Sequence, residues 1–254
     1  HHQSFSINLF FIKEMTILVT GGNNSLSREL QKIYEDILIP NSNELDLTNK
    51  ENIKQFFSEN NFNCIIHNES LMNVRECEEN KNKAKKINVI STKNLIDTIQ
   101  EINPGIEFIH LSTPCVFDGV SGMYTETSIP NPVNYYGITR MEAEKEVKKL
   151  REFVIIRTNY VNKEKWPYPK AFTDRFGTYL FSKQVAQGIF DIQKQNGKGI
   201  IHVVSDKKIS MYDLAKMTTS EIEPMTINDY FGPPVTMDMS LDSIKWKKYK
   251  ISLE

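Results

Sequence analysis

The segment ILVTGGNNSLSRELQKI, residues 17–33, sets Gly21 and Gly22 directly after a short apolar run and before a helical pattern. A strand-to-helix turn of this kind can aim backbone N–H groups at a phosphate. The first N–H groups of a helix lack intrahelical partners and carry the positive end of its dipole. A second chemistry-bearing group lies in NYYGITR, where Tyr136 and Arg140 stand one helical turn apart, so a phenol and a guanidinium can face one site. A cation beside a phenol lowers its pKa and equips it for proton transfer. Tyr135 is one residue further from Arg140 and fits that spacing less well.

The elements that must position these groups alternate along the chain. MTILVT, DILIP, FNCIIHN, GIEFIHLST and EFVIIRTNYV read as five strands. Between them lie a helix with Leu26, Leu30 and Ile33 on one face, and a helix in LDLTNKENIKQFFSEN with Thr48 as N-cap and Glu51 three residues later. A long amphipathic stretch follows from about Val74 to Ile102, and a last helix grows out of NPVNYYG. The alternation implies βαβ units in a parallel sheet with right-handed crossovers, and ligands bind such sheets beyond the carboxyl ends of the strands. The fold class expected is α/β, a Rossmann-type doubly wound sheet spanning 15–160.

After residue 160 the pattern weakens. KEKWPYPKAFTDRFG reads as a loop, FSKQVAQGIFDIQKQ as a helix, GIIHVV as a strand, SMYDLAKMT as a short helix capped by Ser210, and DSIKWKKYKI as a closing helical turn or two. Residues 161–254 are too few for an independent core and read as a small substrate lobe packed on the sheet domain. Residues 1–14 read as a leader or tag remnant. Their apolar piece, INLFFI, is too short to span a bilayer.

With 254 residues, a formal net charge of −1, 39% hydrophobic and 25% charged residues, the chain reads as a globular protein with neither nucleic acid nor a membrane as its main partner. Cys64, Cys77 and Cys115 form no CxxC pair, which suits reduced thiols in the cytoplasm. His67, His110 and His202 follow apolar residues without metal-ligand spacing. They read as core histidines, and no metal site is expected.

The ordered motifs VTGG, LDLT, IIHN, STPCVFDG, NPVNYYGITRMEAE and VIIRT resemble the extended short-chain dehydrogenase/reductase superfamily. Within it, the dTDP-4-dehydrorhamnose reductase group is most similar. The resemblance implies a reductase of a nucleotide-sugar ketone using NADP or NAD, with Thr113, Tyr136 and Arg140 as the catalytic group: Tyr136 gives the proton, Thr113 orients the carbonyl, and Arg140 keeps Tyr136 acidic. It places the cofactor against Gly21, Asn23, Asn24, Ser25 and Leu26, against Asp46 and Leu47, against Asn68, Glu69 and Ser70, and against Tyr136 and Arg140. It places the substrate against Cys115, Val116, Tyr160 and Trp166. On spacing alone, Asp46 fits a loop acid or cap equally well.

Four departures from the group's pattern fall in this one cleft. Asn24 and Ser27 stand at glycine positions, and Ser27 is expected to press helix and strand apart. Arg140 replaces a lysine, and its planar fork does not reproduce an ammonium. Glu69 replaces a small apolar residue. A carboxylate about 6 Å from a phosphate charge is repelled by roughly 3 kcal/mol at an effective dielectric near 20, unless Glu69 turns to solvent, pairs with Arg75 or Arg140, or takes up a proton at some energetic cost. Two readings stay open: a reductase with altered cofactor geometry, or a binding or regulatory protein on the same fold, as the methionine adenosyltransferase β subunit is. Pro40, Asn41 and Ser42, after the second strand, leave the choice between NADH and NADPH open, and a homo-oligomer or a protein partner is compatible with either reading.

Overall fold

Strand β1 (Thr16–Val19) shows why the sheet is covered on both sides. Ile17 and Val19 point into one apolar layer with Leu26 and Leu30, while Leu18 points into the other with Ile53 and Leu95. A strand buried on both faces reads as a continuous apolar run, as it does here. The computed structural model describes residues 15–254; the leader expected over 1–14 lies outside the described residues.

The chain continues through α1 (Ser25–Ile33), β2 (Asp36–Leu38), α2 (Lys50–Glu59) and β3 (Cys64–His67). Next come α3 (Val74–Glu79), α4 (Lys81–Lys85), a π-turn at Lys86–Ile90, α5 (Ser91–Ile102) and β4 (Glu107–Ser112). Then follow α6 (Tyr135–Val147), β5 (Val154–Arg157), β6 (Tyr160–Val161), β7 (Lys170–Phe172), β8 (Phe176–Gly177) and β9 (Leu180–Phe181). The chain ends with α7 (Ser182–Lys194), β10 (Gly199–His202), β11 (Ile209–Ser210), α8 (Met211–Lys216) and β12 (Glu223–Met225).

Six strands form one parallel sheet in the order β2-β1-β3-β4-β5-β10. The layer holding Leu26 and Leu30 of α1 and Val185 and Ile189 of α7 covers one face. Ile53 of α2, Leu95 of α5 and Val147 of α6 cover the other. The sheet is therefore doubly wound, and its strand order reverses direction between β1 and β3, where such folds open a crevice.

The boundary at residue 160 does not hold for α7 and β10. Strand β10 pairs with β5 from Gly199↔Val154 to His202↔Arg157 and belongs to the sheet. Ile201 enters one core layer and Ile200 packs against the other, which suits an integral strand rather than a lobe. The lobe is built from two-stranded pieces, β7 with β12 and β8 with β11, together with α8. The expected loop of residues 163–177 thus contains β7 and β8.

Residues 242–251 make no closing helix. Their backbone bonds laterally instead: Tyr249 N–H donates to Val204 O at 2.9 Å, and Asp206 N–H donates to Tyr249 O at 3.1 Å. The cap of α2 also shifts by one residue. Asn49 accepts from Asn52 N at 3.1 Å, because the Thr48 hydroxyl is committed to Asp46 at 2.6 Å.

Candidate active site

Gly21 has φ +97°, and a Cβ there would lie 2.9 Å from the Asn68 carbonyl oxygen. Only glycine lets the end of β1 approach the end of β3 this closely. Thr20 fastens the two ends: its hydroxyl accepts from Asn68 N at 2.9 Å and Glu69 N at 3.2 Å, and lies 2.7 Å from His67 Nδ1. Burial pushes His67 down to about 3, so the ring is neutral. The network therefore assigns Nδ1 as acceptor from Thr20 and Nε2 as donor to Thr92, 2.9 Å away.

Asn24 and Ser27 build a reciprocal capping box at the start of α1. The Asn24 side chain accepts from Ser27 N at 3.0 Å, and Asn24 N donates to Ser27 Oγ at 2.8 Å. The hydroxyl expected to wedge helix from strand is absorbed in this cap, and Ser27, Leu26 and Leu30 are fully buried. Among the described residues, no partner takes the N–H groups of Ser25 and Leu26. The altered loop therefore keeps donors facing outward from the helix end. Asn23 is exposed on the turn, and the buried Leu26 side chain leaves only its backbone for a ligand.

Asp46 behaves as a turn acid, accepting from Thr48 N at 3.0 Å and from the Thr48 hydroxyl. Leu47 is buried in the second core layer, and its carbonyl accepts from Asn94. Asn68 donates to the Tyr160 hydroxyl at 3.3 Å. Glu69 pairs with neither arginine proposed for it. Arg75 donates to Phe231 O at 2.6 Å, and Arg140 donates to Leu111 O. Burial first, and then the charge of Asp46, push the Glu69 carboxyl above the usual carboxylate range.

Asn134 caps α6, accepting from Gly137 N at 2.9 Å. Any Cβ on Gly137 would collide with the Cys115 carbonyl, so the glycine brings α6 against the 113–116 turn. Tyr136 thereby comes beside Thr113. Burial raises its phenol to about 12, while Arg140 and a hydrogen bond to the Thr113 side chain pull it down. Arg140 is 5% exposed, its Nε has no partner, and among the described residues no carboxylate lies within ion-pair distance of it. One turn further along α6, Glu144 instead holds Arg157 of β5 through contacts of 2.7 and 3.0 Å, and Ser112 donates to the same carboxylate.

A cleft of about 930 Å³ brings together Gly21, Asn24, Ser25, Asn68, Glu69, Ser70, Thr113, Tyr136, Arg140, Tyr160 and Trp166. Asn23, Leu26, Asp46, Leu47, Cys115 and Val116 do not line it. Val116 is fully buried with Phe117, Val204 and Leu241, and its substrate assignment is corrected to a core position. Cys115 turns toward Met239, with sulfur atoms 3.9 Å apart. Tyr135 stacks beneath Lys81, 5.5 Å from the ring centre. His67, His110 and His202 are fully buried, and no cluster of metal-ligating side chains occurs among the described residues.

Sequence reasoning missed three contributors. Asn88, in the π-turn, accepts from Leu71 N at 2.7 Å and donates to Leu71 O and to Thr139 on α6, both at 3.0 Å. It ties the segment after β3 to the helix carrying Tyr136. Its one signal was a polar residue inside an otherwise apolar helical run. Thr158 lines the cleft with a buried, unpartnered hydroxyl. Arg28 adds a cation to the cleft from the first turns of α1.

A doubly wound parallel sheet with a glycine turn at its crevice and a Thr–Tyr–Arg group at the end of β4 defines a Rossmann-type α/β protein. The chain belongs to the RmlD substrate binding domain family, whose pattern matches residues 15–173. It is 28% identical over 229 residues to a dTDP-4-dehydrorhamnose reductase of Aggregatibacter actinomycetemcomitans, covering 78% of this chain and 76% of that protein. It is 25% identical over 280 residues to the methionine adenosyltransferase 2 subunit beta of Xenopus tropicalis, covering 92% and 82%. Among solved structures, a dTDP-4-dehydrorhamnose reductase of Clostridium acetobutylicum superposes with a TM-score of 0.80 at 28% identity, over 90% of each chain. No helix among the described residues is long and apolar enough to cross a membrane.

Proposed function

We propose that the protein is an NADPH- or NADH-dependent reductase of a nucleotide-sugar ketone, similar in reaction to dTDP-4-dehydrorhamnose reductase. The observation that carries this reading is the convergence of Thr113, Tyr136 and Arg140 on the same cleft as the Gly21 turn. The residues fit a dinucleotide. The left-handed Gly21 clears space beside Asn68, the first N–H groups of α1 are free, and Arg140 Nε and Thr158 Oγ1 are buried donors without partners. A bound dinucleotide supplies the hydride.

The chain's own residues handle the proton. A phenol at about 12 is fully protonated at neutral pH and can deliver its proton to a developing alkoxide. Thr113 can donate to the same oxygen, and the Arg140 charge stabilises the tyrosinate left behind. Tyr160 and Trp166 form the apolar wall of the substrate side, suited to stacking on a sugar or base.

The test is oxidation of NADPH or NADH by the purified protein with dTDP-4-keto-6-deoxyhexoses, beside a fluorescence titration of the dinucleotide. Turnover supports the reductase. A second reading has one observation in its favour: Arg140 is tied to the Leu111 carbonyl and departs from the ammonium geometry. Dinucleotide binding without turnover, unchanged in Arg140→Lys, supports that reading, a regulatory protein with a protein partner.

A further inference from the structure

We propose that Thr158 is a specificity-determining residue: its hydroxyl bonds a hydroxyl on the substrate carbon next to the ketone, so that the cleft selects hydroxy ketones over their deoxy counterparts. The inference deepens the reductase reading and rests on it. Thr158 stands directly after β5, and its N–H donates to Ser112 O at 3.3 Å. Ser112 is the last residue of β4 and precedes Thr113. Thr158 is therefore one strand spacing, about 4.8 Å, from the strand end that carries the carbonyl-orienting hydroxyl. Two hydroxyls set that far apart can each bond one of two oxygens on neighbouring carbons of a sugar ring.

Thr158 is 4% exposed and lines the cleft, and among the described residues its hydroxyl has no partner. A buried hydroxyl left unbonded is unfavourable, and a ligand group that bonds it relieves the cost. One step between staggered rotamers re-aims the hydroxyl while the backbone bond to Ser112 stays in place. The neighbouring polar side chains are already engaged. The Asn159 amide lies 3.7 Å from the Met239 sulfur, the Tyr160 hydroxyl accepts from Asn68 at 3.3 Å, and Thr218 donates to the Ala215 carbonyl at 3.3 Å. Val161, Pro167 and Leu214, which also line the cleft, offer no polar side-chain atom.

The reacting ring of the dinucleotide also carries a polar group, an amide, but the position of Thr158 favours the substrate. In the order β1-β3-β4-β5, Thr158 lies past the Thr113 strand end from the glycine turn that receives the pyrophosphate. Tyr160 and Trp166, the apolar wall of the substrate side, follow it in the chain and line the same cleft.

The experiment compares wild type with Thr158→Val, Thr158→Ala and Thr158→Ser. It measures turnover of a dTDP-4-keto-6-deoxyhexose and of its 3-deoxy analogue, which lacks the hydroxyl next to the ketone. Fluorescence titration of NADPH and circular dichroism accompany it. Wild type is expected to favour the hydroxylated ketone at least about tenfold in kcat/KM. Thr158→Val and Thr158→Ala bring the two ketones within about threefold, and Thr158→Ser restores the preference. The NADPH dissociation constant stays within about twofold throughout. A wild type without the preference, or a preference unchanged in both deletions, overturns the inference and leaves the reductase reading standing. Weakened NADPH binding in both deletions with the ketone preference intact assigns the hydroxyl to the dinucleotide amide and also overturns it. Folded wild type that reduces neither ketone overturns the reductase reading, and the inference with it.

Discussion

Arg157 grips both carboxylate oxygens of Glu144, at 2.7 and 3.0 Å, with the two side chains only 1% and 2% exposed. The pair bolts α6 to β5 behind the cleft. It also spends the one carboxylate on α6 that lies a turn from Arg140, leaving the Arg140 charge to act on Tyr136.

Breaking the bolt from one side strands a buried charge. Arg157→Met leaves Glu144 with only Ser112, and the cost is about 3–5 kcal/mol of stability. Chemical denaturation measures it. A loss below 1 kcal/mol would show that the pair is solvated in solution.

Gly21→Ala forces a side chain into a left-handed backbone and against the Asn68 carbonyl. The strain is about 1–3 kcal/mol. The expected outcome is a folded protein with a lowered melting temperature whose dinucleotide affinity falls at least tenfold, read by fluorescence titration.

Acid destabilises the protein through its buried histidines. His67 falls from 6.5 to about 3 because burial penalises the charged ring. A base with a depressed folded pKa leaves the unfolded chain holding more protons below 6.5. Its contribution is thus complete above that pH and is lost as pH falls toward 3, at about 1.4 kcal/mol per unit. Urea midpoints measured from neutral pH downward should fall along this slope, and His67→Asn should flatten it.

Much of this frame is legible in the residues. The runs at 16–19, 64–67 and 154–157 carry apolar residues on both faces, the pattern of a parallel strand covered on both sides. Gly21 and the Tyr136–Arg140 spacing announce the crevice. The rest depends on tertiary context. GIIHVV follows a lobe-like segment, so its return to the sheet edge beside β5 leaves no local signal. Strands of two residues, such as β8 and β11, are too short to show a period. Helix α6 buries Arg140 and Glu144, so its polar residues look like a solvated face until the partner strand supplies Arg157. Ser27 reads as an obstacle in isolation and becomes a cap only once Asn24 is placed opposite it.

The proton-donor role of Tyr136 is tested most directly by comparing wild type with Tyr136→Phe, in turnover of a dTDP-4-keto-6-deoxyhexose and in dinucleotide affinity. The account predicts wild-type turnover and a fall of about 10²–10⁴-fold in kcat for the variant, with the dissociation constant for the dinucleotide within about twofold of wild type. Equal turnover by both proteins, or a wild type that binds the dinucleotide and reduces no such ketone, would contradict it.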